Sequence, residues 1–569
     1  MTDLLQILLD RADVYPDGLC VRTFSKRSKP GERTWSEVVT AAKRASAGLQ
    51  ALGVQRGDVV VLLGTHHLDL YGTWLGCVWL GAIPTILAEP SVRVDPAIYW
   101  SRLESLLARI KGWGIVADPK IKRQEHLANT TRYFTYDAIC ASEAAVPERV
   151  IPSPEDTLLL QHSSGTTGLQ KGVMLSHQAV SRHATSYNQV LQLSCGDHIA
   201  SWLPLYHDMG FIACFLSPLL SGIPVTWLSP FEWVANPALL LDAVTKDRAT
   251  LIWLPNFAFH FLAQRVKSEP GRFDLSSLRA VVNCSEPVTA EAMEDFQRRF
   301  ATDGLSSTAL HACYAMAENV FAVSSSSATS PPRKRTILRK TWHDEHRAVD
   351  ADPTLHSHEV SSVITHVSNG PCVPDCEVRI VDETGKSLPP DFAGVVHIRS
   401  PFMFSGYFRR EEASGSLFDA DGFYDTGDLG YLDSEDHVYI TGRQKDLIVV
   451  GGRNIYPQDV EQLAGEVAGV YPGRVVCFGV TIRDLGTQGL VVLVESQEPE
   501  TAWEEIARQV RLIVPTRLDL DVFDVRVQPY GVLRKSTSGK LARQGNREWY
   551  LTGRFGDLPD AVVNELDRE

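Results

Sequence analysis

The sequence predicts an α/β protein, and three observations predict it. Apolar runs of strand length, such as Val59-Val60-Val61-Leu62-Leu63 and Leu251-Ile252-Trp253-Leu254, alternate with helix-period stretches such as Trp35 to Leu52. At 569 residues the chain exceeds what one ordinary core holds, so two or more domains are expected. Residues 376 to 440 then change character, with Glu377-Val378-Arg379-Ile380-Val381 and Gly394-Val395-Val396-His397-Ile398 reading as strands of a small β subdomain.

Along the chain, Met1 to Arg11 lacks a basic leader and a cleavage site and reads as an amphipathic first helix, so a cytoplasmic location is expected. The apolar stretch from Val59 to Leu87 is interrupted by His66, His67 and Asp69, which suits a buried strand and helix and not a membrane span. Thr157-Leu158-Leu159-Leu160 reads as a buried strand, as do Ala249 to Leu254 and Leu278 to Val282, each opening onto a polar motif. Ser324 to about Ser362 is polar and rich in Pro, Ser and Arg, with Arg333-Lys334-Arg335, and five histidines fall between His343 and His366. It reads as an insertion or mobile flap with a solvated face, and its histidines lack a metal-site spacing. No internal repeat is visible.

Composition narrows the class. With 44% hydrophobic and 22% charged residues the chain is ordinary globular material, and a formal net charge of −14 argues against generic nucleic-acid binding. A local basic patch still suits a phosphorylated ligand. Ten cysteines scattered without paired metal spacings fit reduced core thiols, and Cys372 and Cys376 read as part of a turn.

The segment Ser163-Ser164-Gly165-Thr166-Thr167-Gly168-Leu169-Gln170-Lys171-Gly172 is the densest chemical signal. Glycines let backbone N–H groups approach an anion, hydroxyls add donors and lysine adds charge, so it reads as a phosphate-gripping loop at a strand end. Its spacing is not that of the nucleotide-triphosphatase loop, because Lys171 precedes a glycine and no Ser or Thr follows it.

Further blocks follow in order. They are Leu203-Pro204-Leu205-Tyr206-His207-Asp208-Met209-Gly210, Asn283-Cys284-Ser285-Glu286-Pro287 and Tyr314-Ala315-Met316-Ala317-Glu318, then Tyr424-Asp425-Thr426-Gly427-Asp428 and Gly442-Arg443-Gln444-Lys445-Asp446. Gly451-Gly452-Arg453-Asn454-Ile455-Tyr456-Pro457 and Ser538-Gly539-Lys540 complete the set. Together with the loop they resemble the adenylate-forming superfamily, in its acyl-CoA synthetase and fatty acyl-AMP ligase branch. The resemblance implies a large N-terminal domain, residues 1–443, of layered α/β subdomains plus the β subdomain, and a small mobile α+β C-terminal domain, residues 444–569.

It also implies a reaction. A carboxylate oxygen leaves poorly, so the family transfers the carboxylate to the α-phosphate of ATP, with Mg2+, and makes an acyl-AMP. The acyl group then passes to a thiol of CoA or of phosphopantetheine on an acyl carrier protein. Charge develops on phosphate oxygens, where a mobile lysine, a cation and amide donors stabilise it. By resemblance Lys540 is the catalytic lysine, His207 gates the carboxylate pocket and Glu318 binds the metal, with Thr167 as a second metal contact. Ser164, Gly165, Thr166, Thr167, Gly168 and Lys171 hold the triphosphate, while Asp428 and Arg443 hold the ribose and phosphate. Ser285, Glu286, Pro287, Tyr314, Ala315 and Met316 line the adenine pocket. Lys445 is the hinge. The Gly451-Gly452 pair lies by the thiol passage in the rotated state.

Two features point to different acceptors. A small residue at Gly451 goes with CoA in this family, which makes acyl-CoA synthesis the first expectation, whereas an insertion after the Tyr-x-x-x-Glu block marks fatty acyl-AMP ligases. Three positions depart from the family pattern: Cys284 and Ala315 stand for glycines, where an added side chain would crowd the adenine pocket, and Gln170 stands for a proline. They motivate a thiolation-only enzyme using supplied acyl-AMP as an alternative. A non-catalytic carrier-protein-binding scaffold is a third. The substrate is expected to be a small apolar carboxylic acid, with Trp202, Trp253, Phe257 and Phe259 as pocket or core aromatics.

Overall fold

The computed structural model describes residues 3–563 except 28, 65, 91–95, 124–126, 129, 163–170, 268, 270, 328–330, 353–361, 410–416, 451–452, 484–487, 519 and 537–539. An eight-stranded sheet carries the first half of the site. Its order is Ala322–Ser325, Leu310–Ala315, Ala280–Asn283, Leu251–Leu254, Ile199–Ser201, Val225–Leu228, Leu19–Phe24 and Glu32–Thr34. The inner strands run parallel and the two edge pairs antiparallel. Runs such as Leu251–Leu254 are buried at every residue because helices cover both faces of such a sheet. Motifs after Leu254, Asn283 and Ala315 therefore leave the carboxyl ends of neighbouring parallel strands, where open α/β sheets bind ligands.

A second, parallel sheet runs Ile83–Leu87, Val59–Leu63, Gly114–Ala117, Tyr133–Thr135. The expected helix after Thr34 is present as Trp35–Ala51, started by a reciprocal cap in which Thr34 and Glu37 satisfy each other's free N–H groups. The 59–87 stretch forms strand, helix Leu68–Trp79 and strand. Among the described residues no helix is long and apolar enough to cross a membrane.

The β subdomain is a four-stranded antiparallel sheet, Glu377–Val381, Gly394–Arg399, Tyr424–Leu432, Val438–Arg443. After the short turn Gln444–Asp446 comes a three-stranded sheet, Val470–Thr481, Gln488–Ser496, Val522–Pro529, flanked by helices Pro457–Gly465, Trp503–Leu518 and Arg543–Leu551. Alternate residues of one strand feed two cores: Val475 and Cys477 face one, Val476 and Phe478 the other. This period of two is what a sheet covered on both faces requires.

The described part of the insertion, 331–352, is not a solvated flap. Lys334–Leu338 pairs antiparallel with Val363–Val367, and helix Arg339–Glu345 between them buries Trp342 to 1% exposure. Ile337, Trp342 and Ile364 share a core with Leu429, Tyr431 and Tyr439 of the β subdomain and with Tyr456 beyond the 444–446 turn. Charge and proline content dominate this segment's composition, but three spaced apolar side chains are enough to seat it. Among the described residues no His, Cys, Asp and Glu cluster suits a metal, and all ten cysteines are free thiols.

Candidate active site

Strand register builds the best-defined part of the cleft. Asp428 and Arg443 are directly opposite on adjacent antiparallel strands, so they share a face, with Arg443 Nε 2.8 Å from Asp428 Oδ1. Tyr314, at the end of strand Leu310–Ala315, donates its hydroxyl to Asp428 Oδ2 at 2.6 Å. Asp428 is buried, whereas the Arg443 side chain is half-exposed. A planar cation held by a carboxylate, with donors still facing out, suits a phosphate or ribose oxygen.

Glu318 stands in the short turn Ala317–Asn319. Its Oε1 accepts from the Tyr407 hydroxyl at 2.9 Å, and Tyr407 also shares a 3.1 Å hydrogen bond with the Tyr424 hydroxyl. The Lys171 ammonium lies 4.6 Å from the centre of the Tyr407 ring. Burial pushes the Glu318 carboxyl up, while the Tyr407 hydroxyl and the Arg443 charge pull it back toward ionisation. Val320 follows at φ +62°, rare for a β-branched residue, so the turn presenting Glu318 is strained. One carboxylate without an all-protein cage is a donor set that fits Mg2+, which takes few protein ligands and completes its shell with water and phosphate oxygens.

The third part is the Asn283 to Pro287 turn. Ser285 takes the left-handed backbone at φ +70°, and Glu286 Oε2 accepts from the Phe257 N–H at 2.8 Å, fixing the start of helix Asn256–Arg265. Cys284 does not crowd the cleft as expected from its place in the motif: it is fully buried and its thiol neighbours Cys313 and Tyr187 in the core. Because Ser285 makes the left-handed turn, position 284 does not need glycine for backbone freedom. Ala315 and Met316 continue the Tyr314 strand end, Ala315 half-buried and Met316 buried, and Pro287 is exposed.

Lys540 reaches this turn from the C-terminal region, its Nζ donating to the Ser285 carbonyl. Beside it, Asp208 accepts from the Met209 N–H at 2.7 Å and starts the π-helical segment Met209–Leu216. Burial pushes the Asp208 carboxyl up and the Lys540 charge opposes the shift. His207 is half-buried one residue earlier, its ring 4.6 Å from that of Tyr206. Lys445 lies in the turn directly after Arg443; burial and the Arg443 charge lower its ammonium.

The structure thus joins Tyr314, Asp428 and Arg443 by direct contacts, gathers Glu318 and Lys171 on Tyr407, brings the Arg443 charge to bear on Glu318, and joins Ser285 and Lys540. Ser164 to Gly168, including Thr167, and the Gly451-Gly452 pair lie outside the described residues. The strand before the phosphate loop is Thr157–His162, and it returns as Gly172–Ser176 in an antiparallel pair, so the loop joins a hairpin instead of a strand to a helix. Tyr407 is a site residue that the motifs did not flag; no local pattern marks it, and it arrives by folding. Among the aromatics, Trp253 and Phe259 are fully buried in the core, and Trp202 stacks on Trp233, while Phe257 is half-buried under the Lys535 ammonium.

Side chains from the carboxyl end of a parallel sheet and from the β subdomain thus meet, and a lysine reaches the Ser285 turn from a separate core. The AMP-binding enzyme family matches residues 8–408, and the chain belongs to it, within the acyl-CoA synthetase and fatty acyl-AMP ligase branch of the adenylate-forming superfamily. A putative ligase of Mycobacterium tuberculosis is 32% identical over 90% of this chain and 94% of its own length. A medium-chain-fatty-acid–[acyl-carrier-protein] ligase of Moorena producens is 28% identical over 91% and 90%. A solved structure from work on fatty acyl-adenylate ligases of E. coli and L. pneumophila superposes with TM-score 0.87 at 25% identity, covering 97% of this chain and 98% of its own. The chain is an adenylate-forming ligase of the acyl-CoA synthetase or fatty acyl-AMP ligase type.

Proposed function

We propose that the chain activates an apolar carboxylic acid with ATP as its acyl-AMP and then passes the acyl group to a phosphopantetheine thiol. The observation that carries this is the pairing of Asp428 with Arg443 and Tyr314, with Glu318 and Lys171 gathered on Tyr407 and Lys540 on Ser285. Asp428 and Arg443 hold the ribose and phosphates, Glu318 and Thr167 of the phosphate loop would hold Mg2+, which would neutralise phosphate charge, and Lys171 counters the triphosphate charge. Lys540 stabilises charge that develops only as the acyl-phosphate bond forms, and His207 orients the carboxylate. The buried position of Cys284 supports ATP use over a thiolation-only role, and the retained charged set speaks against a silent scaffold.

The domain boundary falls at 443/444 in this reading, and Lys445 is the hinge about which the C-terminal domain turns between half-reactions. The Gly451-Gly452 pair favours coenzyme A as acceptor. The insertion favours a second acceptor: Trp342 stacks on Tyr456 at 5.5 Å, and His343 Nε2 lies 3.5 Å from Asp459 Oδ2, both partners lying beyond the hinge. Contacts that hold the C-terminal domain against rotation suit an acyl-AMP ligase that loads a carrier protein, and we take that as the better-supported acceptor. The relative from Moorena producens carries that activity in its name. The test is ATP–pyrophosphate exchange across a panel of fatty acids, followed by CoA and acyl carrier protein in competition. Exchange with transfer to the carrier protein is expected; consumption of supplied acyl-AMP without exchange would overturn the adenylation reading, and preferential transfer to CoA would overturn the acceptor.

A further inference from the structure

We infer that Asn546 is a positioning residue for Lys540: its buried amide clasps the two ends of the chain segment that carries the lysine. The inference rests on the assignment of Lys540 as the adenylation lysine and adds a device that sets its reach.

Asn546 lies on helix Arg543–Leu551 and is fully buried. Its Oδ1 accepts from the Arg534 N–H at 2.8 Å, and its Nδ2 donates to the Arg534 carbonyl and the Ala542 carbonyl, each at 2.9 Å. One side chain therefore binds both arms, six residues before Lys540 and two after it. Within the arms, the Ala542 N–H donates to the Arg534 carbonyl at 3.0 Å, Lys535 pairs with Leu541, and the Ser536 N–H donates to the Lys540 carbonyl at 2.7 Å. The arms are thus a short antiparallel pair closed at its base by a buried amide, with Lys540 at its outer end reaching the Ser285 carbonyl. The helix meets the base tightly: a Cβ on Gly545 would lie 2.7 Å from Arg534 Cδ.

The chemistry of the clasp is selective. Both amide protons and one oxygen lone pair are used, so only a planar carboxamide of this length satisfies all three backbone groups. Leucine has nearly the same shape and none of these bonds. Its substitution leaves the Arg534 N–H without the acceptor it has here, while the Arg534 and Ala542 carbonyls keep backbone donors, Ala542 N–H and Asn546 N–H. The loss falls on the register of the arms more than on the fold. A lysine displaced by an ångström at the reacting oxygens costs up to about 100-fold in rate.

The experiment uses the full chain with decanoic acid and ATP, reading pyrophosphate exchange, and synthetic decanoyl-AMP with pantetheine, reading thioester. Asn546→Leu is expected to lower the adenylation kcat roughly 10- to 100-fold with little change in the KM for ATP, while transfer from decanoyl-AMP is retained. The deciding comparison is made in a Lys540→Ala background, where Asn546→Leu should cost nothing more, because a positioning residue has nothing left to position. An equal loss from Asn546→Leu with and without Lys540 would overturn the inference and leave Asn546 as core packing. If Lys540→Ala itself leaves adenylation intact, the assignment of Lys540 fails, a result distinct from that one. Should the leucine variant not fold, Asn546→Gln keeps the amide but moves it by one methylene, and the same two-background comparison applies.

Discussion

Replacing Trp342 with leucine and His343 with alanine together should release the segment beyond residue 446 without touching the nucleotide cleft. Trp342 meets His366, Tyr431 and Tyr456, with ring centres at 4.7, 5.7 and 5.5 Å, but only Tyr456 lies past the proposed hinge. Leucine still covers part of the first two. The aromatic contact with Tyr456 is worth about 0.5–1.5 kcal/mol beyond its area. The His343 Nε2–Asp459 Oδ2 approach of 3.5 Å is buried on both sides but is not a hydrogen bond, so the aromatic contact sets the magnitude. That energy, about 0.5–1.5 kcal/mol, shifts the ratio of domain orientations roughly twofold to tenfold, the factor of ten per ~1.4 kcal/mol being the conversion. Single-turnover transfer from decanoyl-AMP to CoA should rise in the variant, up to the limit set by chemistry, while pyrophosphate exchange holds or falls. Unchanged transfer would refute the idea that the insertion restrains rotation. An equal fall in both half-reactions would show that the substitutions damage the fold.

Three further outcomes follow from the same geometry. Burial raises the Asp459 carboxyl from 3.8 to about 7, so the folded state holds this proton more tightly than the unfolded one; its stabilisation is full below about 4 and is lost as pH rises through about 7. Tm should therefore fall between about pH 4 and 7 and level off above, and Asp459→Asn should flatten that slope; a parallel slope in the variant assigns the effect elsewhere. Asp428→Asn removes the charge that pairs with Arg443 and accepts from Tyr314, and should weaken ATP binding by about 10- to 100-fold, a loss of about 1.5–3 kcal/mol for a hydrogen bond to a charged group, seen as a raised KM in pyrophosphate exchange. Lys445→Pro fixes φ in the turn after Arg443 and should block one half-reaction more than the other. Equal rates would place the hinge at another residue.

The local decisions were legible in the chain itself. Short apolar runs marked the strands Val59–Leu63, Leu251–Leu254 and Thr157–His162, because burial on both faces demands a near-continuous apolar run. Motif residues Tyr314, Glu318, Asp428 and Arg443 were likewise marked in the chain, since each carries its chemistry in its own side chain. What a linear pattern cannot hold is the pairing of residues far apart. Tyr407 meets Glu318 across 89 positions, and Lys540 meets Ser285 across 255. The insertion shows the same limit from the other side: its charge and proline content describe a solvated segment, yet Trp342 finds Tyr431 and Tyr456 only once three sheets are assembled around it. The backward reach of Cys284 into the core was also a tertiary decision, because which face a residue turns to depends on whether it or its neighbour takes the left-handed turn, and here Ser285 does. Period and composition are set by nearest neighbours; contacts that close a cleft are set by packing between elements, and that is fixed only when the chain folds.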